Sequence, residues 1–292
     1  MTIIQIIVNG VLLGGLYACT AIGFSIIWGV MNLINLAHGS MIVLGAYITF
    51  FVSTQTGIDP FLTMPLAGAL LFIVGYLLQT FLINLIVRSS VFMTLIFTFG
   101  LDMLMINIFL VLFTADLRSL HLPYAHESFR LAGVNIPYGR MIVFILAIVL
   151  TLALSLFLNR TRTGRAIKAT SFDRDAATLS GIDISRIYAL TFAIGAMMAG
   201  MAGSLIAVVY SFSPVTGESF TMKSFVIVVL GGLGSVPGAI IGGIALGVVE
   251  NLASYFLDSG YRDAIGFGLL VLTLVLRPEG LLGKRFFAEV KG

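Results

Sequence analysis

The first 58 residues of the chain, Met1 to Ile58, contain no Asp, Glu, Lys or Arg. A soluble domain needs charged side chains on its surface, and such residues make up about 25% of ordinary soluble domains. Here they make up only 10% of the 292 residues, whereas apolar types make up 59%. One bilayer crossing takes about 20 mostly apolar residues. The sequence therefore predicts an integral membrane protein.

Apolar windows long enough for a membrane helix recur along the chain, since a helix rises about 1.5 Å per residue. They cover residues 5–28, 37–54, 61–87, 91–114, 141–159, 187–210 and 261–276. Residues 220–257 form a further apolar stretch that is too long for one helix. It is interrupted at Gly231, Gly232, Gly234, Pro237 and Gly238.

A break at bilayer depth is tolerated only where protein or water satisfies the freed backbone groups. The break in residues 220–257 is therefore either a tight turn between two spans or a re-entrant pair. We predict an all-α polytopic bundle with eight or nine spans, at least one of them broken or re-entrant. Because no polar linker divides the chain, residues 1–292 are expected to form one transmembrane domain.

Basic residues predict the orientation, because Lys and Arg concentrate in cytoplasmic loops. The segment 159–186 holds six of them, and the C-terminal tail adds Arg277, Lys284, Arg285 and Lys291. We expect both regions, and Arg88, on the cytoplasmic side. Residues 115–140 and the N-terminus are then outside, although Arg118, Arg130 and Arg140 oppose this placement.

The segment 159–186, NRTRTGRAIKATSFDRDAATLSGIDISR, carries nine of the 16 basic and 13 acidic residues of the chain. Small and apolar residues recur at three- and four-residue steps, which predicts an amphipathic cytoplasmic surface helix. That stripe consists of Ala166, Ala169, Phe172, Ala176 and Leu179, opposite Arg165, Lys168, Arg174 and Asp175. Ser171 is a candidate N-cap for the second part of this helix, and Asp173 suits a helix N-terminus. Gly181 is expected to end the helix.

A stripe of alanines is too small to anchor a helix in lipid and favours docking in the groove of a partner. The simpler alternative is that positive-inside placement alone explains the cations.

Polar residues are also concentrated between the first two apolar windows, in WGVMNLINLAHGSMIVLGAY. If this stretch is helical, Ser25, Asn32, Asn35 and Gly39 share one narrow arc, with His38 about 60° beyond Asn35. Polar side chains in a span usually face the bundle interior or a water-filled path. We interpret the stretch as a broken helix that lines a permeation route; the alternative is a loop at the membrane surface.

Asp102 is the one acid well inside a full-length apolar window, and Thr98 precedes it by one helical turn. A central carboxylate costs about 2.5–3.5 kcal/mol on insertion scales, so it should be protonated, hydrogen-bonded or pathway-facing. A structural hydrogen bond is the preferred interpretation, ahead of a proton or sodium relay.

Several other features are unspecific or argue against a function. Small residues four apart, as in Ala196/Gly200, Ala199/Gly203, Gly238/Gly242 and Gly243/Gly247, favour close helix packing.

His121, His126 and Glu127 lack a further well-spaced ligand, so an ordinary loop is expected there and not a metal site. The sequence contains no G-x-x-x-x-G-K-[ST], H-E-x-x-H or G-x-S-x-G motif and no dense basic patch for nucleic acid. ATP hydrolysis, if it drives transport, is therefore expected on another chain.

Four stretches, in order, resemble the permease subunits of branched-chain amino acid ABC transporters, a group that includes ribose-type permeases. They are NLINLAHG (Asn32 to Gly39), GRAIKATSFDRDAATLSGI (Gly164 to Ile182), ALTFAIGAMMAGMAGS (Ala189 to Ser204) and VVLGGLGSVPGAIIGGIALG (Val228 to Gly247), followed by RPEG (Arg277 to Gly280).

The resemblance implies half of an importer in the bacterial inner membrane. The other expected parts are a second permease, identical or different, two cytoplasmic ATPases that bind ATP and Mg, and an external solute-binding protein. No cofactor is expected on this chain. By the same resemblance, the coupling residues toward the ATPase are Gly164, Arg165, Ala166, Ala169, Phe172, Asp173, Ala176, Ala177 and Gly181. The translocation path is expected along Ser25, Asn32, Asn35, His38, Gly39, Thr98 and Asp102.

The function predicted from these observations is ATP-driven import of branched-chain or other neutral amino acids by alternating access. Urea, amides and other small polar solutes are alternative cargoes of the same machinery. An ion-coupled secondary carrier that uses Asp102, and a passive channel for a small neutral solute, are the alternatives from other classes.

Overall fold

The computed structural model describes residues 2–87, 89–120, 122, 127–131, 133–257 and 259–282. Arg88, His121, His126 and the tail residues Lys284, Arg285 and Lys291, on which some of the predictions rest, lie outside this range. The described residues form eleven α-helices and one β-hairpin. The helices are α1 (Thr2–Met31), α2 (His38–Thr56), α3 (Pro60–Phe81), α4 (Val91–Phe113), α5 (Tyr138–Arg160), α6 (Arg162–Phe172), α7 (Arg174–Leu179), α8 (Ile184–Val209), α9 (Gly217–Gly231), α10 (Val236–Phe256) and α11 (Arg262–Leu276). In the hairpin, β1 (Ser128–Leu131) pairs antiparallel with β2 (Val134–Pro137).

Six segments are long and apolar enough to cross a membrane: Ile3–Met31, Pro60–Leu85, Val91–Phe113, Tyr138–Arg160, Ile184–Val209 and Val236–Phe256. The chain is thus a multi-pass helical membrane protein. The expected eight or nine spans are not confirmed within the described residues. The helix α2 carries a histidine and several hydroxyl side chains, and α9 and α11 have only 15 residues each. A helix of 15 residues is about 22 Å long, shorter than the hydrocarbon core of about 30 Å.

The centre of the bundle is formed by α1 and α8, which are almost wholly buried, whereas α3, α4 and α5 are largely exposed. The exposed side chains of these outer helices are large and apolar, for example Leu62, Phe92 and Leu156. A soluble protein would place polar residues there, so these faces suit contact with lipid.

Small residues allow the central helices to approach backbone to backbone, as the spacing predicts. Added to Gly247 of α10, a Cβ would lie 2.5 Å from the carbonyl oxygen of Gly10 in α1. A Cβ added to Gly203 of α8 would overlap the carbonyl oxygen of Ile42 in α2. The packing interpretation of the Ala199/Gly203 and Gly243/Gly247 pairs is therefore confirmed.

The bundle has two distinct ends. At the first end, the Gln5 side chain at the start of α1 exchanges two 2.7 Å hydrogen bonds with the backbone of Asn135 in β2, which leads into α5. At the second end, Gly29 near the end of α1 packs against Gly234. Also there, the Leu282 N–H after α11 donates to the Gly231 carbonyl (2.9 Å). Because α5 starts beside the start of α1, its C-terminus and α6 lie at the second end.

The predicted glycine and proline break is the turn between α9 and α10. Gly232 and Gly234 have φ angles of +106° and +75°, a region that favours glycine. The Ser235 hydroxyl caps α10 by accepting from the Gly238 N–H (3.1 Å), and Pro237 lies in the first turn. Gly231, the last residue of α9, contacts Gly238.

The segment predicted as one amphipathic helix contains two short helices, α6 and α7. Asp173 between them has an extended backbone, and its carboxylate accepts from the N–H groups of Asp175 and Ala176, both at 2.9 Å. The prediction of Ser171 as the cap is wrong, because its hydroxyl instead donates to the Lys168 carbonyl. Gly181, with φ +79°, ends α7 as predicted.

We expect Gly203→Ala to destabilise the bundle, because the added methyl group would press α8 away from α2. Overpacking of a tight core costs about 1–3 kcal/mol. The measurement is the thermal stability of the detergent-purified protein by fluorescence-detected size exclusion. Gly100→Ala is the matched control, since a Cβ there meets no atom within 4 Å. Equal stability of the two variants would contradict the packing described here.

Candidate functional site

The chain leaves the helical conformation between α1 and α2. The helix α1 ends at Met31, Asn32 takes the left-handed conformation with φ +50°, and α2 begins at His38. Asparagine tolerates this conformation at a helix end, which explains why the helix stops there. The shared helical arc predicted for Asn32, Asn35 and Gly39 is therefore wrong. The segment is a non-helical connection in which Asn32 is exposed, whereas Asn35 and the following His38 are fully buried in the protein.

Side chains of α4 and α9 satisfy the backbone groups freed by this break. Thr98 of α4 accepts from the Leu36 N–H (3.2 Å) and donates to the Ile34 carbonyl (2.8 Å). Thr221 of α9 accepts from the Gly39 N–H (2.8 Å). A break away from water needs such partners, so α4 and α9 hold the segment between α1 and α2 in place.

Asp102 has the structural hydrogen bond expected of it: the Ser40 hydroxyl in the first turn of α2 donates to Asp102 Oδ1 at 2.5 Å. Asp102 is also half-way along α4, which spans Val91–Phe113. Its carboxylate is thus deep in the bundle and joins α4 to α2.

Other predicted path residues are buried close to the break. His38 Nε2 lies 2.8 Å from the Thr20 carbonyl oxygen of α1, and since a carbonyl only accepts, Nε2 carries the proton. Within the described residues, His38 Nδ1, Ser25 Oγ and both amide atoms of Asn35 have no hydrogen-bond partner. Buried polar groups usually have partners, so this part of the interior is unusually polar for its apolar surroundings.

A cavity of about 400 Å³ lies between α4, α9, α10 and α11, next to the break. Apolar side chains, among them Phe99, Leu246 and Phe267, form much of its wall. Its charged lining consists of Asp102, Glu218, Lys223, Glu250 and Asp263. The volume falls in the range of about 300–1,000 Å³ typical of small-molecule sites, which combine apolar walls with a few polar groups.

Lys223 of α9 is the centre of an ionic cluster in which Glu250 is buried and Asp263 is exposed. Its ammonium lies 2.6 Å from Glu250 Oε1 of α10 and 2.9 Å from Asp263 Oδ1 of α11. The Tyr17 hydroxyl of α1 donates to the other Glu250 oxygen (2.7 Å). Side chains from α1, α9, α10 and α11 thus meet in this cluster. Glu250 is 1% exposed, and each of its carboxylate oxygens has a partner.

This cluster was missed by the sequence reasoning, which took Asp102 as the one acid inside a full-length apolar window. Glu250 is inside the spanning helix α10 as well. The sequence does contain a charged residue on each side of the break in residues 220–257. Because charges inside a membrane are usually paired, these two residues could have been predicted to interact. What the sequence could not give was the pairing of Lys223 with Glu250 across the turn.

Of the seven predicted path residues, all of which are described, only Asp102 lines the cavity. Gly39 and Thr98 contact its wall indirectly, through Thr221 and the backbone of residues 34–36. Ser25, Asn35 and His38 are buried near the break, and Asn32 is exposed at the end of α1.

The predicted coupling residues divide into two groups. In α6, Gly164 is buried against Leu158, while Ala166 and Ala169 are half-buried and Arg165 is exposed. In and around α7, the exposed residues are Phe172, Asp173, Ala176, Leu179 and Gly181, whereas Ala177 is buried. The side chain of Leu179 is 90% exposed, so the apolar surface at this end is concentrated on α7.

The fold defines a polytopic membrane protein with a partly charged cavity between α4, α9, α10 and α11. A family model described as "Branched-chain amino acid transport system / permease component" matches residues 6–274. The chain therefore belongs to this family of transport permeases, not to an enzyme family.

Curated relatives agree with the family assignment. The chain is 35% identical to the high-affinity branched-chain amino acid transport system permease protein LivH of Salmonella typhimurium strain LT2, with 96% of each chain covered. It is 33% identical to BraD of Pseudomonas aeruginosa strain PAO1, again over 96% of each. Identity to LivM of Escherichia coli K12 is 30%, over 91% of this chain and 68% of LivM. No solved structure gives a significant match.

We expect Lys223→Met to destabilise the protein strongly, because Glu250 would remain buried without its cation. Removal of one partner of a buried ion pair costs about 3–5 kcal/mol. The double variant Lys223→Met with Glu250→Gln should recover much of the loss in the same thermal assay. Asp116→Asn is the control, since the exposed Asp116–Arg118 pair (3.8 Å) should contribute about 0–1 kcal/mol. A single variant as stable as this control would contradict the structural role of the cluster.

Proposed function

We propose that this chain is the permease subunit of an ATP-driven ABC importer for branched-chain or other neutral amino acids. The observation that carries the proposal is the 35% identity to LivH, which extends over nearly the whole of both chains. The cavity with apolar walls and a few charged groups, next to the middle of α4, is the second support, since transporters bind their cargo near the bilayer midplane.

The mechanism we propose is alternating access by rigid-body movement. Helices that touch through glycine and alanine, such as α1 with α10 and α2 with α8, have few interlocking side chains to resist sliding. The short helix α9 forms one wall of the cavity and is held at its other end by the residues after α11. Movement at that end would therefore change the width of the cavity.

The partners follow from the same reasoning. Significant matches to both LivH and LivM support pairing with a second permease of related sequence. The family resemblance adds two cytoplasmic ATPases that bind ATP and Mg, and an external solute-binding protein. No cofactor is proposed for this chain.

We propose nine crossings in the inner membrane, with α2, α9 and α11 counted in addition to the six long spans. An odd number agrees with a chain whose start and C-terminal segment lie at opposite ends of the bundle. The end with α6, α7 and Leu282 would be cytoplasmic, because Lys and Arg in residues 159–186 are concentrated there.

The proposed ATPase contact is the exposed face of α7. Leu179 and Ala176 are exposed on a short helix otherwise surrounded by charged residues. An apolar side chain that is 90% exposed in a polar region is a typical anchor for a partner's groove. Ala177 is buried, so a bulky residue there would disturb α7 itself and would not test docking.

The two alternative functions differ in the energy source that they need. An importer of urea or amides would still require ATP. An ion-coupled carrier is favoured only by the buried carboxylate of Asp102, which in the structure accepts from Ser40. That carrier would work without an ATPase.

The test is uptake of labelled leucine into proteoliposomes that contain the complex purified through this chain, together with its solute-binding protein. We expect uptake to require ATP on the side of the bilayer that carries the ATPases. We expect it to persist after ionophores collapse the ion gradients. Uptake by the isolated chain, or uptake abolished by ionophores in the presence of ATP, would contradict the proposal.

We expect Leu179→Ser to uncouple ATP hydrolysis from uptake while the protein remains folded. Loss of one buried leucine removes about 1.5–3 kcal/mol of docking energy, equivalent to about tenfold or more in affinity. Ala176→Trp should have the same effect by steric exclusion. Thr178→Ser, at an exposed position on a different face of α7, is the control. Leucine uptake and ATPase rate are measured on the same preparation, and normal uptake in both test variants would exclude α7 as the contact.

A further inference from the structure

A separate pocket, of about 300 Å³, lies between the end of α3 and the start of α8, at the second end of the bundle. One helical turn deeper the two helices touch, since a Cβ added to Gly75 of α3 would lie 3.1 Å from the Cα of Ala193 in α8. Past this contact the pocket opens beside Gln79. It therefore lies where the spanning segments Pro60–Leu85 and Ile184–Val209 reach the membrane surface.

The wall of this pocket contains a buried amide that has no partner. Gln79 is 1% exposed, and within the described residues neither Nε2 nor Oε1 of its side chain has a hydrogen bond. A buried polar group without a partner is unfavourable, and nearly all such groups in folded proteins are satisfied by protein, water or a ligand. The Gln79 amide therefore points to a polar ligand in the pocket.

Within the described residues, the wall carries one charge of each sign. Arg186, in the first turn of α8, is exposed, and its guanidinium has no described carboxylate within 4.0 Å. Asp183 caps α8 by accepting from the Arg186 N–H (3.1 Å), and no described basic side chain lies within 4.0 Å of its carboxylate. Further hydroxyl and amide groups of the wall belong to Tyr76, Thr80, Asn84 and Ser185. The pocket thus offers one cation, one anion and several neutral hydrogen-bonding groups.

Large apolar side chains are exposed next to the pocket on α3. Leu77 and Phe81, which follow the wall residues Tyr76 and Thr80, are 47% and 68% exposed. Such side chains suit contact with acyl chains, and a tyrosine near the end of a span is typical of the headgroup level. A phospholipid at this position has its headgroup between α3 and α8 and its hydrocarbon against α3.

We propose that this pocket binds a phospholipid whose headgroup joins a phosphate to a primary ammonium, that is phosphatidylethanolamine. The phosphate accepts from the Arg186 guanidinium and Gln79 Nε2, beside the positive N-terminus of α8. The ammonium, with three N–H donors, donates to the Asp183 carboxylate and Gln79 Oε1. Headgroup pockets between transmembrane helices are known sites of lipid recognition. The inference rests on the membrane location of the chain and not on its cargo.

The test is native mass spectrometry of the purified protein, titrated with phosphatidylethanolamine, phosphatidylcholine and phosphatidylglycerol of identical acyl chains. We expect one molecule of phosphatidylethanolamine to bind about tenfold more tightly than either other lipid, because neither has N–H donors for Asp183. O-Phosphoethanolamine in large excess should not displace it, since the acyl chains contribute buried apolar surface. Displacement by this compound would reassign the pocket to a soluble phosphate ester.

Two variants separate the roles of the two charges. Asp183→Asn keeps a good N-cap but removes the negative charge, so the preference for phosphatidylethanolamine over phosphatidylcholine should disappear. Arg186→Gln should weaken binding of all three lipids by about tenfold, since they share the phosphate. Arg160→Gln removes an exposed cation at the same end of the bundle and should leave the three affinities unchanged.

A third variant, Gln79→Leu, distinguishes a ligand-binding amide from a structural one. Without added lipid, its melting temperature should equal or exceed that of the parent, because the change removes a buried amide that has no partner. Phosphatidylethanolamine should then raise the melting temperature of Gln79→Leu by less than that of the parent, since one contact to the headgroup is lost.

Equal affinity for the three lipids, or a preference for phosphatidylethanolamine that survives Asp183→Asn, would overturn the assignment. So would a Gln79→Leu protein that melts below the parent and gains as much from the lipid, because the amide would then have a partner inside the protein. Loss of the bound lipid in the complex with the ATPases would also overturn it, because a partner chain would then cover the pocket.

Discussion

Backbone hydrogen bonding in the absence of water is the constraint on which the rest of this structure depends. The segment between α1 and α2 breaks the helix where the neighbouring residues Asn35 and His38 are fully buried. Its free N–H and C=O groups need partners there. Thr98 and Thr221 provide them, and each therefore fixes a helix, α4 or α9, next to the break. The cavity exists because these two helices are held at the break and not against each other.

The ionic cluster follows from the same lack of water. Lys223 and Glu250 would each be costly alone in the membrane, and the cost is offset because Glu250 has a partner for each oxygen and Lys223 contacts two carboxylates. The pairing also fixes the relative positions of α1, α9, α10 and α11 around one ammonium. Asp102 is not part of this cluster and accepts instead from the Ser40 hydroxyl of α2.

The sequence was sufficient for features that depend on local chemistry. Long uncharged runs predicted the membrane helices, Gly232 and Gly234 predicted the turn after α9, and four-residue spacing of small residues predicted the contacts of Gly203 and Gly247. It was insufficient where the outcome depends on contacts distant in sequence. The helical arc through Asn32 and Asn35 failed because Thr98 and Thr221 stabilise an open segment there. Lys223 was missed because its partners, 27 and 40 positions away, become neighbours only after the chain has turned twice.

The helix α8 connects α7 with the helices around the break between α1 and α2. It begins three residues after Gly181, so any displacement of α7 is passed directly to its first turn. Along its length, Gly195 contacts Ile27 of α1, Gly200 contacts Leu71 of α3 and Gly203 contacts Ile42 of α2. At Gly203 the backbones of α8 and α2 meet without a side chain between them, which favours sliding, while the Thr49–Ser204 hydrogen bond (2.7 Å) near the far end of α8 resists separation from α2. A movement that enters at α7 is therefore expected to rotate α2 about that end, which changes the distance between Ser40 and Asp102 and with it the wall of the cavity.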